Sequence, residues 1–341
     1  MPVPYSVIVS RSDKPSSASS NAITECVEQQ LAEVDRAIRR CARVPNIQPL
    51  EQVLLAVLTA PAKRLRPTLA LLVAETVGGH PQDVVKLAAA TEILHCATLV
   101  HDDLVDGADE RRGRPAVHVA WSQKVAVLAG DYLFASAADL VAQLDRPPIV
   151  RLFAATIRDM ARSEFIFPDW DADGDATERQ YLEKIGHKTA SLFAHACESV
   201  ATLADVSSSE CEALRELGWN VGMAFQITDD ILDIRGFTAE TGKPIGTDFR
   251  AGLITLPVIL YLRCEPPSAS HVRAVLSGCA RDDADVAEAL EAISTSSALD
   301  EAVVIARGFA DRAISALARV RPAPAGALLE TFVRQATERS R

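Results

Sequence analysis

Ile93-Leu94-His95-Cys96-Ala97-Thr98-Leu99-Val100-His101-Asp102-Asp103-Leu104-Val105-Asp106 is the stretch that decides how the chain reads. A mostly apolar run ends in three carboxylates at positions i, i+1 and i+4. On a helix of 3.6 residues per turn, i and i+4 lie about 40° apart. Asp102 and Asp106 therefore project from nearly one line, with Asp103 at the edge of that face. The arrangement recurs at Thr228-Asp229-Asp230-Ile231-Leu232-Asp233, behind the hydrophobic run 221–227. Carboxylates at a helix C-terminus oppose the macrodipole, so helix stability alone does not account for them. If the two helix ends face each other, six carboxylates surround one cavity, and at reduced dielectric they repel strongly. Cations must compensate. The paired donors are hard oxygens without a cysteine among them, which selects Mg²⁺ or Mn²⁺ over zinc. Magnesium readily bridges carboxylates to substrate phosphates, so the pattern reads as a carboxylate–metal–diphosphate clamp.

Around these two stretches the helical period dominates. Helix-like segments run near 21–43, 48–59, 64–78, 82–105, 117–144, 147–166, 176–205 and 208–235, then near 250–264, 268–278, 284–294, 297–320 and 325–339. Turn chemistry separates them at Gly78-Gly79-His80-Pro81, from Gly107 to Pro115, at Arg146-Pro147-Pro148, from Gly236 to Gly246 and at Pro266-Pro267-Ser268. No alternating strand pattern and no short-period repeat is found. With 48% hydrophobic and only 5% aromatic residues in 341, the chain can bury a large core and favours helices over sheet. The reading is all-α: a flexible leader over residues 1–20, rich in Ser, Pro and Val, then one helical domain over 21–341. A smaller helical lobe after about residue 265 is compatible with the same pattern.

A net charge of −11 argues against nucleic acid as the main partner, because phosphate backbones need basic patches. It leaves room for small diphosphates held by local clusters. The seven cysteines include no CxxC pair and are odd in number, which argues against a zinc site or a disulfide framework and fits a reducing cytoplasm. No uninterrupted apolar stretch of about 20 residues is present, so no membrane span is expected.

Cationic side chains flank the acidic ends. Lys63-Arg64-Leu65-Arg66-Pro67 opens a helix, and Arg111-Arg112-Gly113-Arg114-Pro115 follows Asp106. Lys188-Thr189 lies inside a helix, and Lys243 sits in Thr241-Gly242-Lys243-Pro244. Arginine binds phosphate oxygens as a fork and lysine as a point charge. Singly, each is more often a surface charge; their placement beside the aspartates gives them value. Gly242-Lys243-Pro244 lacks the upstream glycine and the following Ser or Thr of a P-loop, and neither a GxSxG elbow nor an HExxH helix occurs.

Together these motifs resemble the trans-prenyltransferase family of (E)-polyprenyl diphosphate synthases, in family order from roughly Lys63 to Pro257. The resemblance implies a single large helical bundle of the isoprenoid synthase type around a central cavity, and a homodimer. It implies that Asp102, Asp103 and Asp106 hold two Mg²⁺ against the allylic diphosphate. Asp229, Asp230 and Asp233 form the second metal motif, with Asp229 directly on a third ion. Arg111, Lys188, Thr189, Gln226 and Lys243 match contacts to the allylic diphosphate, whether dimethylallyl, geranyl, farnesyl or geranylgeranyl. Lys63, Arg66, His95 and Arg112 match the metal-free pocket for isopentenyl diphosphate, and Phe225 flanks the second motif as an aromatic face for developing positive charge. His101 is read as structural. The implied reaction is ionisation, condensation and elimination, with no protein general base.

The chain departs from the family pattern in three places. Pro61-Ala62 replaces the usual Gly-Gly, and Leu253 stands where a lysine usually precedes Ile254-Thr255-Leu256-Pro257. Ser163-Glu164-Phe165-Ile166-Phe167-Pro168 lacks the usual polar residues after the glutamate. A terpene cyclase would need a different second metal motif, and a non-catalytic partner subunit would usually have lost an aspartate motif. Chain length is read from the helix before Asp102. Short-chain relatives carry bulky aromatics four or five residues before the first aspartate, where this chain has Thr98 and Ala97. That predicts a product of C25 or longer, unless Ala97 merely packs a helix crossing and a deeper residue such as Phe134 stops growth at C20. Ala97→Phe is expected to shorten the product, sized by chromatography after dephosphorylation; an unchanged distribution would rule out Ala97 as the ruler.

Overall fold

A computed structural model describes residues 17–169, 174–236, 246–280 and 282–338. The expected leader falls mostly outside these residues, and α1 begins at Ser17. The order is α1 Ser17–Cys41, α2 Gln48–Leu58, α3 Leu65–Val77, α4 Pro81–Val105, β1 Glu110–Arg111, β2 Arg114–Pro115, α5 Val117–Ala120, α6 Gln123–Ala142 and α7 Pro147–Ser163. There follow α8 Gly174–Ile185, a π-helical turn Gly186–Ala190, α9 Ser191–Leu203, α10 Ser208–Arg235, α11 Thr247–Arg250, α12 Leu256–Arg263, α13 Ala269–Leu276, α14 Asp283–Ser294, α15 Ser297–Leu317 and α16 Gly326–Glu338.

The differences from the sequence reading have local causes. The segment expected as one helix over 117–144 breaks at Trp121, and Ser122 caps the new helix, its Oγ accepting from the Val125 N–H at 3.2 Å. After α4, Gly107 turns left-handed at φ 65 and the chain forms a β-hairpin that the strand reading missed. Its two-residue loop needs positive φ at both positions, supplied by Arg112 at 53 and Gly113 at 70. The segment expected over 176–205 carries the π turn in its middle.

Two apolar cores are joined by shared helices. The first gathers residues of α1 to α4, α6 and α9, with Leu214, Leu217 and Val221 of α10. The second gathers α12 to α15, with Met223, Ile227 and Ile231 from the other end of α10. The helix α15 also enters both, through Ala310 and Ala313 in the first and Ala302 and Ala306 in the second. The helices α4 and α6 are long and apolar enough to cross a membrane by length and composition, but α4 is mostly buried inside the bundle. Less of α6 is covered: Val127 and Leu128 are exposed, as are Val119 and Trp121 just before it.

A close helix approach lies between α10 and the stretch that contains the π turn. A Cβ at Gly218 would stand 2.5 Å from the Phe193 carbonyl oxygen, and one at Gly222 would stand 2.5 Å from the Ala190 Cα. Both obstacles are backbone, so neither can yield by a rotamer change. Gly218→Ala is expected to cost about 1–3 kcal/mol by overpacking. The check is the urea midpoint, which should fall with little change in slope; a wild-type midpoint would contradict the close crossing.

Candidate active site

The first aspartate motif closes α4. Asp103 is buried, Asp102 is half-buried and Asp106 is exposed. Each of the first two has a cation parked on it. The hairpin aims Arg111 back at α4, where its Nε donates to Asp103 Oδ1 at 2.7 Å and its Nη2 reaches the same oxygen. The π turn aims Lys188 across from the other side, its Nζ 3.6 Å from Asp102 Oδ2 and 2.8 Å from Glu164 Oε1. An inserted π turn re-aims side chains that a regular helix would send elsewhere, and such turns recur at functional sites. Burial pushes the Asp102 carboxyl up to about 6; Lys188 opposes that rise, while Glu164 and Asp106 add to it. Burial works against the Lys188 charge, but Asp102 and Glu164 outweigh it and raise its pKa.

The second motif closes α10, and its three carboxylates part company. Asp229 is exposed. Asp230 is buried, accepting from the Tyr181 hydroxyl at 2.6 Å and from Gln226 Nε2 at 2.8 Å. Asp233 accepts from the backbone N–H of Thr247 at 3.0 Å and of Asp248 at 3.1 Å, at the start of α11. Burial pushes the Asp230 carboxyl well above its ordinary value; Asp248 and Asp229 add to that rise, while the donors Tyr181 and Gln226 pull against it. Tyr181 is itself raised well above the phenol range by burial and by the Asp230 charge, so it stays protonated as a donor. Thr189 donates to Gln226 Oε1 at 2.7 Å. Lys188 thus faces the first motif, while its neighbour Thr189 connects to the second only through Gln226. Lys243 lies outside the described residues.

Beside the motifs sits a cationic pocket. Arg66 is buried on the Phe193 ring, 4.6 Å from the centroid, and its Nε has no hydrogen-bond partner. Burial lowers its pKa to about 10, which still leaves it charged near neutrality. His95 is held neutral: burial, then Arg66, Arg112, Arg111 and Arg64, push it well below its ordinary value. Lys63 and Arg112 are exposed. Arg64 is instead structural, its guanidinium bonded to Asp35 at 3.1 Å, Glu92 at 2.9 Å and the Leu58 carbonyl at 3.0 Å. An arginine N–H buried without a partner, among further cations, suits an incoming anion. Phe225 lies 5.8 Å from Phe193, ring to ring.

Ala97 is fully buried in the first core. Thr98 is half-buried and bonds the His95 carbonyl of its own helix at 2.8 Å. The face of α4 that opens on an apolar cavity of 230 Å³ carries Cys96, Leu99 and Val100. His101 packs on Gly130 and bonds the Val127 carbonyl at 3.1 Å. Two of the departures, Phe165 with Phe167 and Leu253, are exposed apolar side chains. The sequence reading passed over Glu164, Tyr181 and Phe193 as site residues. Tyr181 bonds Asp230 while Lys188 faces Asp102 across the π turn, so their spacing gave no signal; Phe193 sat in an apolar run and gave none.

The fit of a divalent cation rests on the donor set. Asp102, Asp106 and Asp229 offer hard oxygens, and Lys188 and Arg111 already place positive charge where an ion would. Among the described residues, no three Asp, Glu, His or Cys side chains are gathered closely enough to hold an ion unaided. The carboxylates fit a hard ion whose shell is completed by phosphate oxygens and water.

A family model described as polyprenyl synthetase matches residues 47–293. A relative named heptaprenyl diphosphate synthase component 2, from Geobacillus stearothermophilus, is 36% identical over 87% of this chain and 91% of its own length. One named nonaprenyl diphosphate synthase, from Mycobacterium tuberculosis, is 37% identical over 82% of this chain and 84% of its own. The crystal structure of a polyprenyl synthase from Caulobacter crescentus, complexed with calcium and isoprenyl diphosphate, superposes with a TM-score of 0.87 at 35% identity, covering 94% of this chain and 97% of that one.

Because Lys188 pulls the Asp102 carboxyl down from where burial alone would put it, Lys188→Met is expected to move that titration above about 6. Carbonyl NMR of aspartate-labelled protein without divalent cation reads it. A midpoint that stays or falls would contradict the ion pair.

Proposed function

The chain belongs to the polyprenyl synthetase family and is a prenyltransferase, and from that premise we propose an (E)-polyprenyl diphosphate synthase that joins isopentenyl diphosphate head to tail to an allylic diphosphate. The observation that carries the reading is the π turn whose Lys188 reaches Asp102 of the first motif and whose Thr189 bonds Gln226, itself bonded to Asp230 of the second, beside a second pocket where the buried Arg66 Nε lacks a partner.

The proposed metal residues are Asp102, Asp103 and Asp106 for two Mg²⁺ and Asp229 for a third. Bound there, the ions supply Lewis acidity that stabilises the departing diphosphate. Arg111 and Lys188 present a guanidinium fork and an ammonium to the allylic diphosphate, with Thr189, Gln226 and Lys243 as further contacts. Lys63, Arg66 and Arg112 hold isopentenyl diphosphate, and neutral His95 donates to it without adding charge. The Phe225 ring faces the allylic cation. The double bond of isopentenyl diphosphate attacks that cation, and the proton is lost to the released diphosphate. The apolar walls exclude the water that would quench the cation.

A product of C25 or longer is favoured by the small residues Ala97 and Thr98 and by the heptaprenyl and nonaprenyl names of the relatives. The exposed apolar side chains Val119, Trp121, Val127 and Leu128 support a homodimer formed on α5 and α6. Seven free thiols support a reducing cytoplasm.

The test is incubation of the purified chain with Mg²⁺, labelled isopentenyl diphosphate and, separately, C5, C10, C15 and C20 allylic primers, with products sized after dephosphorylation. A ladder ending at C25 or beyond is expected. An end point at C15 or C20 would keep the reaction and overturn the chain length. The Geobacillus relative is named as one component, so the chain is assayed alone; no condensation with any primer would contradict an enzyme complete in itself.

A further inference from the structure

The second aspartate motif does not use its three carboxylates alike. Its spacing suggests a shared ligand set, yet Asp229 is exposed, Asp233 half-buried and Asp230 buried. Asp233 spends both oxygens on the first N–H groups of α11, which is a helix cap. Asp230 is 3% exposed, and each of its oxygens is taken, one by Tyr181 and one by Gln226. Tyr181 is 2% exposed and belongs to α8, the helix that runs into the π turn.

Resting on the diphosphate-binding role given above to Gln226 and Thr189, we propose that Tyr181 is a positioning residue. Through Asp230 it sets the orientation of Gln226 and Thr189, and Asp230 serves as a buried strut and not as a metal ligand. The argument is one of donors and acceptors. Tyr181 donates to Asp230 Oδ2 and Asp230 Oδ1 accepts from Gln226 Nε2, so Gln226 turns its Nε2 toward Asp230 and its Oε1 toward Thr189. The Thr189 hydroxyl then donates to that Oε1. The second N–H on Gln226 Nε2 is left for a diphosphate oxygen. Side-chain amides are otherwise free to flip between two nearly isosteric states. The Tyr181 hydroxyl, 2.6 Å from Asp230 Oδ2, fixes the carboxylate that removes this freedom. The same bond ties α8 to α10, so the π turn between α8 and α9 keeps its register against the second motif.

The experiment compares Tyr181→Phe, Asp230→Asn and Asp229→Asn with the wild type. Two readouts are used: separate KM values for the allylic substrate and isopentenyl diphosphate, and Mn²⁺ bound in the presence of inorganic diphosphate, counted by electron paramagnetic resonance. Tyr181→Phe keeps the ring and loses only the donor; the allylic KM should rise about tenfold, as for a lost hydrogen bond to a buried carboxylate, while the isopentenyl KM stays within about twofold. Tyr181→Phe and Asp230→Asn should bind as many Mn²⁺ as the wild type, and Asp229→Asn one fewer. A wild-type allylic KM in Tyr181→Phe, or an ion lost in Asp230→Asn as in Asp229→Asn, overturns the proposal. If Asp230→Asn does not fold, Tyr181→Phe decides. Affinity for inorganic diphosphate is measured in parallel and should weaken in Tyr181→Phe, so the strut is tested even on a chain that condenses nothing; that failure would fall on the reaction and not on the strut.

Discussion

Burial of the carboxylates that end α4 and α10, with like charge beside each, is the constraint around which the rest is arranged. Left alone in a partly buried site, these groups would take up protons, and burial already moves Asp102 to about 6. The chain counters with cations brought from elements that have little other reason to be where they are. A two-residue hairpin returns Arg111 to Asp103, and a π turn presents Lys188 to Asp102. Glu164 in turn holds Lys188 at 2.8 Å. Such pairs contribute little net stability when partly buried, because desolvation offsets the attraction. Their value is in placing exchangeable positive charge at positions where a diphosphate and its ions can take over.

Packing makes that placement rigid. The π turn and the start of α9 are pressed against α10, where Gly222 and Gly218 let backbone meet backbone. The same helix α10 carries residues of both apolar cores and ends in the second aspartate motif. A displacement of α10 is therefore felt at Gln226, at Thr189 and at Lys188 together. The neighbouring pocket depends on the opposite device. Arg64 consumes the available carboxylates Asp35 and Glu92, which leaves Arg66 buried on an aromatic face with an unsatisfied N–H.

Much of this was legible before any coordinates. The apolar period identified α4 and α10, and the i, i+1, i+4 carboxylates marked their ends as the candidate site. Gly and Pro placed most of the breaks, as at Gly78 and Pro81 between α3 and α4. The hairpin was not legible, since strands of two residues show no alternation and Arg112 gives no sign of its positive φ. The π turn was hidden because the stretch from Thr189 to Leu203 is buried almost all round, so no one-sided apolar face existed whose register could reveal an extra residue. The division of labour in the second motif was equally hidden: helical spacing places Asp230 near Asp229, but only the position of Tyr181 decides which way it turns. At Ala97 the spacing located the residue on α4 without saying what covers it, and the structure buries it in the first core. Ser122, by contrast, was a readable cap that the long segment 117–144 obscured.

The central claim is that the aspartate ends become an ion site only in company with a diphosphate. The measurement that tests it most directly is calorimetric titration of Mg²⁺ into the purified chain, once with inorganic diphosphate present and once without. Strong uptake with diphosphate and weak uptake without it is the predicted result, since the described carboxylates do not gather closely enough to hold an ion unaided. Equal, strong uptake in both titrations, or none in either, would contradict the account.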